Sequence, residues 1–217
     1  MNTEEASAAA EAESETKSNR FEMICGVAIA VFAAVLAVND LGAGKYGDDE
    51  LIAHNQKNNA YLWYQTKGIK ETLVEEQRNT LQALVAAGSV DAAQLPTVET
   101  LVASLNARTE RYGKEKKEIL LGSKAVGEAN WVQEVDGTLG RVVGAKDWEA
   151  EAEALGGAGD TFDLATLFLQ ICLVLGAISL VLQQDRLRAW FFRGMVALGT
   201  LGLIYTVLAY RQAMAIG

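Results

Sequence analysis

Three windows of this sequence hold no charged residue, and they constrain the fold more than any other feature: 23–38, 164–182 and 194–210. They run for about 16, 19 and 17 residues, close to the roughly 20 apolar residues that carry a helix across about 30 Å of hydrocarbon. A single window of this kind is equally a buried core helix. Three of them, separated by polar sequence, predict an all-α membrane protein with transmembrane helices over 23–41, 161–183 and 190–210, set in a lipid bilayer. The first window has the length of a signal-peptide core. Its leader, MNTEEASAAAEAESETKSNR, carries five glutamates where a signal peptide begins with basic residues. Residues 1–22 therefore read as an acidic Ala/Glu-rich leader, and the first window as an uncleaved anchor.

The net charge of −9 is spread without any basic stripe. Between Lys45 and Asp160 there are 19 acids against 13 bases, so nucleic acid is not an expected partner. Cys25 and Cys172 both fall inside apolar windows, where they serve as small packing residues and not as a disulfide. With His54 as the one histidine, a zinc site lacks ligands, and no cofactor is expected.

Lys and Arg beside membrane segments are retained in the cytoplasm. Lys17 and Arg20 precede the first window, and Arg186, Arg188 and Arg193 lie in the turn QQDRLRAWFFR between the second and third. This predicts a cytoplasmic N-terminus and 184–189 turn, with the long middle segment facing outward and 211–217 as a C-terminal tail. Trp190, Phe191, Phe192 and Tyr210 are placed for interfacial belts. Gly26, Ala30 and Ala34 form a small-residue ridge in the first helix. Cys172 with Gly176, and Gly199 with Gly202, are similar small faces for close helix approach.

Few strand-like runs occur in the middle segment, 42–160, so strands are not expected there. GAGKYG, from Gly42 to Gly47, reads as a bend leading into a helix over about 48–87, some 40 residues or roughly 60 Å long. A turn over about 88–97 follows, then a second helix over about 98–155 with Thr97 as its N-cap after Pro96. Within it Val98, Leu101, Leu105, Arg108, Tyr112, Glu115 and Ile119 alternate three and four apart, as in a coiled-coil seam. Helix is expected to resume through WVQEV and DWEAEAEAL, with GGAGD as a flexible entry to the second membrane helix. The sum is a helical hairpin or coiled-coil stalk between the first and second transmembrane helices.

NNAYLWYQTKGIK, from Asn58 to Lys70, concentrates aromatics in a polar helix. Leu62, Ile69 and Leu73 share one side with Thr66; Tyr61, Tyr64 and Gly68 form a second; Trp63 and Val74 lie on a third with Lys67 and Lys70. A helix apolar on several sides has more than one partner, which a two-helix hairpin does not supply. Contacts between subunits are expected at this stretch, with room for a neighbour at Gly68. Trp63 and Lys67, four apart, are spaced for a cation–π contact.

Three stretches in order resemble a known family. Trp63, Tyr64, Gln65, Lys67, Ile69 and Lys70 fit a W-x-Y-Q-x-K-like element. RYGKEKKEI, Arg111 to Ile119, is similar to a charged-helix core, and FDLATLFLQICLVL, with Asp163, Phe168, Leu169 and Gln170, is similar to an acid leading into a membrane helix. Together they resemble the bacterial membrane family called domain of unknown function 4337, over about 22–210. Gly68 stands where a serine is expected, and 125–155, with Trp131 and Trp148, departs from the pattern. The resemblance implies three membrane helices, a helical soluble part and a bacterial inner-membrane location. It implies no activity.

No catalytic constellation is legible. His54 in AHNQKNN reads as a solvated helix-face residue, and GAGKYG lacks the spacing of a phosphate-binding loop. No apolar window contains an ionisable group of the kind that marks a transport path. The expectation is a non-enzymatic, homo-oligomeric membrane scaffold or accessory protein, able to join a larger membrane complex. The alternative is a homo-oligomeric pore lined by the second or third helix through Gln170, Ser179 or Thr200.

Overall fold

The computed structural model describes residues 3–216, with the side chains of 16–216; the leader's side chains up to residue 15 lie outside that range. Helix α1 runs Thr3–Ala86 without interruption, followed by α2 (Leu95–Leu121), a single turn α3 (Ser123–Val126) and a 3₁₀ turn at Glu128–Asn130. A short hairpin of β1 (Glu134–Val135) and β2 (Thr138–Leu139) leads to α4 (Ala145–Val181) and α5 (Asp185–Met214). The chain forms two units. One is Glu50–Glu153; the other combines the chain up to Asp49 with Ala154–Gly217.

In the second of these units, the parts of α1 and α4 that belong to it pack with α5. Three helices, on α1, α4 and α5, are long and apolar enough to cross a membrane. Their mutual contacts use the small residues: Gly176 faces Met195 and Ile29, Gly199 faces Phe32, and Gly202 faces Leu169, each so closely that a Cβ would overlap. Buried Cys25, Cys172 and Met195 sit among Phe21, Ile29, Phe32 and Leu175. The ridge Gly26, Ala30, Ala34 is exposed and takes no part in this packing. Exposed apolar side chains surround the bundle, among them Val27, Val31, Val38, Leu167, Val174 and Val207. Such a surface suits an apolar solvent.

GAGKYG does not bend the chain. Gly42 is the point of closest approach to Tyr210 and Phe162, whose rings would lie 2.6–2.8 Å from an added Cβ. Tyr46 stacks on Phe162 at 5.9 Å and meets Tyr210 edge-on at 6.2 Å. This packing offsets the roughly 1 kcal/mol that each helical glycine costs relative to alanine. GGAGD is likewise helical, inside α4, with Ala158 buried. The α4–α5 connection is non-helical only at 182–184, so Arg186 and Arg188 belong to the first turns of α5 and not to a free turn.

In the unit Glu50–Glu153, α1 closes at Gly88, whose left-handed backbone (φ 69°) lets Ser89 N–H bond Leu84 O at 3.0 Å. α2 begins at Leu95 with Pro96 in its first turn, which puts Thr97 inside the helix and makes Gln94 the N-cap. The helix expected over 98–155 stops at Leu121 and resumes at Ala145. Between them, WVQEV is loop and strand, because Asp136 (φ 51°) and Gly137 (φ 74°) take the two left-handed positions of a tight hairpin turn.

Candidate functional site: the junction of the two charged helix motifs

Burial along α1 falls on Ala53, Ala60 and Val74, with half-buried Lys57, Tyr64, Lys67, Glu71, Arg78 and Leu81 between and beyond them. These positions alternate four and three apart without a break. On α2 the matching positions are Val98, Val102, Leu105, Thr109, Tyr112, Lys116 and Ile119. The expected seam is therefore shifted by one residue at 101 and 108, while Glu115, expected in it, is buried beside Lys116. Leu101 is 47% exposed and Arg108 is exposed, and Val102 and Thr109 face inward in their stead.

This register brings two of the motifs together. Lys67 Nζ lies 2.6 Å from Glu115 Oε2, and Arg111 Nε donates to Glu115 Oε1 at 2.9 Å. Lys116 Nζ donates to Glu71 Oε2 at 2.6 Å and sits 5.3 Å from the Tyr64 ring centre. Further along, Arg78 Nη1 donates to Asn106 Oδ1 at 3.2 Å, so the partners on α2 fall from 115–116 to 106 as α1 runs from 67–71 to 78, and the helices are antiparallel. The Glu71 carboxylate, accepting its hydrogen bond, pushes the Lys116 amine above the ordinary lysine value. The ring that Lys67 reaches is that of Tyr112, at 5.9 Å, on the facing helix and not the Trp63 expected from spacing. The neighbour that uses the space at Gly68 is Lys116, at 3.9 Å, from the same chain.

Glu115 is buried with both cations in place. Removing one partner from a buried charge costs about 3–5 kcal/mol, whereas the intact pair adds little net stability. The junction fixes register; every ionised group in it is engaged by another. Tyr61 donates to Glu149 on α4 at 3.1 Å, and that carboxylate raises the phenol above its ordinary value. His54 is half-buried, with Nε2 3.5 Å from the Glu50 carboxylate. Among the described residues no group of three or more His, Cys, Asp or Glu could hold a metal ion.

A second cluster had no counterpart in the sequence reading. Glu118 is fully buried, and its carboxylate accepts from Ser123 Oγ (2.7 Å), Val132 N (2.9 Å) and Gln133 N (2.9 Å). Ser123 and Val142 bond reciprocally: Ser123 N–H to Val142 O, and Val142 N–H to Ser123 Oγ, both at 2.9 Å. Trp131 Nε1 donates to Ser123 O at 2.7 Å. Glu118 thus clamps the segment between α2 and α4 onto the end of α2.

In the other unit Asn39 is fully buried. Its amide nitrogen donates to Phe162 O (3.1 Å) and Thr166 Oγ1 (2.8 Å), and its oxygen accepts from Thr206 Oγ1 (3.0 Å), tying α1, α4 and α5 together. Asp163 and Gln170 are exposed. Ser179 is buried and donates to Arg188 O at 3.0 Å; Thr200 is exposed and donates to Val196 O at 2.7 Å. The third motif therefore lies in a different unit from the first two. Comparison with curated proteins and with solved structures finds no match in either. The model of a domain of unknown function (DUF4337) matches residues 21–212, nearly the whole chain, and the chain belongs to that family.

Proposed function

We propose that the chain is a three-span integral membrane protein that acts as a homo-oligomeric scaffold or accessory subunit through helix–helix association. One observation carries the reading. On α1, away from α2, Leu62, Ile69 and Leu73 are 60%, 63% and 59% exposed and, with Thr66, form a stripe spaced four, three and four apart. That is the spacing of a helix–helix seam without a partner among the described residues, and each large side chain covered there contributes about 1.5–3 kcal/mol. The tyrosines of the same stretch are used within the chain, so the self-association surface is the Leu/Ile stripe and not the aromatic cluster. Native mass spectrometry from detergent tests this: wild type is expected as an oligomer and Ile69→Glu as a smaller species. A monomeric wild type overturns the proposal.

The N-terminus and the α4–α5 connection are assigned to the cytoplasm, supported by Glu22 and Arg188 meeting at one end of their unit at 3.0 Å. An impermeant thiol reagent is then expected to label Ser89→Cys from the outside. A second reading, a pore, draws on Gln170, a polar side chain exposed on the apolar part of α4. Bilayer conductance that disappears in Gln170→Leu would favour it.

A further inference from the structure

Where the charge-free stretches of α1 and α4 end, beside the first turns of α5, a crevice of about 840 Å³ opens between Ser18, Glu22, Asp185 and Arg188 on its polar side and Phe21 and Val181 on its apolar side. We propose that this crevice binds the headgroup of a zwitterionic phospholipid carrying a primary ammonium; the proposal rests on the membrane-spanning reading above.

Position is the first argument. The crevice lies at the edge of the first two apolar windows and just outside the third, the level at which phosphates and headgroup amines sit in a bilayer. Val181, 81% exposed beside charged groups, is placed to meet the start of an acyl chain. Arg188 is the second. Its side chain is nine-tenths buried, and its guanidinium lies 4.3 Å over the Phe21 ring and donates through Nη1 to Ser18 Oγ and through Nη2 to Glu22 Oε1, both at 3.0 Å. Its Nε–H is buried without an acceptor. With Nη1 and Nη2 engaged, the Nε–H of this packed guanidinium is the donor left for a phosphate oxygen.

The balance of charge is the third. Lys17 and Arg188 are matched in the lining by Glu22 and Asp185, so a plain anion gains no net attraction there. A headgroup with phosphate and ammonium satisfies both signs. A primary ammonium brings three N–H donors to the two carboxylates, which a trimethylated amine does not.

Native mass spectrometry of delipidated full-length protein, titrated with phosphatidylethanolamine, phosphatidylcholine, phosphatidylglycerol or inorganic phosphate, tests the assignment. Wild type is expected to retain the ethanolamine lipid roughly tenfold more tightly than the other two lipids, the scale of one charge-assisted hydrogen-bonded contact. Asp185→Asn, at an exposed position, is expected to erase the preference over phosphatidylglycerol. Arg188→Gln is expected to weaken all three lipids. Because Arg188→Gln risks misfolding, Asp185→Asn decides. Equal retention of the three lipids by wild type, an unchanged preference in Asp185→Asn, or displacement of lipid by equimolar inorganic phosphate overturns the proposal. The same spectra separate the two readings: an oligomer without lipid preference sinks this one alone, and a monomer with the preference sinks the scaffold alone.

Discussion

Replacing Glu118 by alanine removes the acceptor for three donors at once, the Ser123 hydroxyl and the Val132 and Gln133 amides. A hydroxyl can turn to another acceptor, but the two backbone amides are fixed by the chain. A donor left unmade costs about 1–3 kcal/mol when buried, and Val132 and Gln133 are half-buried, so the clamp loses about 2–4 kcal/mol. At 1.4 kcal/mol per factor of ten, a loss of about 3 kcal/mol makes local opening roughly a hundredfold more frequent. Hydrogen exchange at Val132, Gln133 and Val142 reads that opening directly. Glu118→Asp keeps the charge but withdraws it by about 1.5 Å, one carbon–carbon bond, and is expected to resemble alanine. Glu118→Gln keeps an oxygen for the two amides and is expected to fall between wild type and alanine. If alanine changes these exchange rates by less than about threefold, the clamp argument is wrong, since even one lost bond of about 1 kcal/mol gives more.

Asn39→Leu removes three interhelical hydrogen bonds, each worth about 0.6–1.7 kcal/mol in lipid, and is expected to lower the denaturation midpoint in detergent micelles without affecting hydrogen exchange at Val132. Gly144→Ala would place a Cβ 2.4 Å from Gly122 N and is expected to destabilise Glu50–Glu153 by about 1–3 kcal/mol or more; Gly47→Ala, with nothing near it, is expected to be neutral or to gain up to about 1 kcal/mol. Both are read by thermal melting. The Glu71–Lys116 pair raises the amine's affinity for its proton, so its stabilisation is complete below the ordinary lysine value of 10.5 and is lost as pH rises through the higher folded value. Melting temperature is therefore expected to fall with pH in that alkaline range more steeply in wild type than in Glu71→Gln.

The membrane-length helices were legible because their signal is local: a run of apolar residues is the same run in the fold. The heptad spacing of α2 was legible too, but not its phase. Leu101 and Val102 fit alternate seams equally, and α1 alone decides which is covered. GAGKYG misled because glycine reads as a break when its neighbours are unseen, and Gly42 is helical for the sake of Tyr210 and Phe162. EVDGTL did carry a hairpin signal, Asp-Gly between β-formers, hidden by the helical pattern on either side. Glu118 had none, since KEKKEI offers two glutamates, both buried, and only the returning chain selects which of them accepts its amides. Asn39 was overlooked at the edge of its window, where an amide reads as interface.

The reciprocal bonds between Ser123 and Val142 have a consequence for how this protein can change. They bring the two ends of the excursion from Gly122 to Gly144 into contact, with a Cβ at Gly144 only 2.4 Å from Gly122 N. A loop that leaves and re-enters at one point does not transmit its length to the helices it joins. Chain added at Asp136–Gly137 lengthens the tip and leaves α2 and α4 where they are, because loop-closure cost grows only logarithmically with length. That tip is the natural place for relatives to differ in length, and for an experimenter to insert a fluorescent or affinity tag.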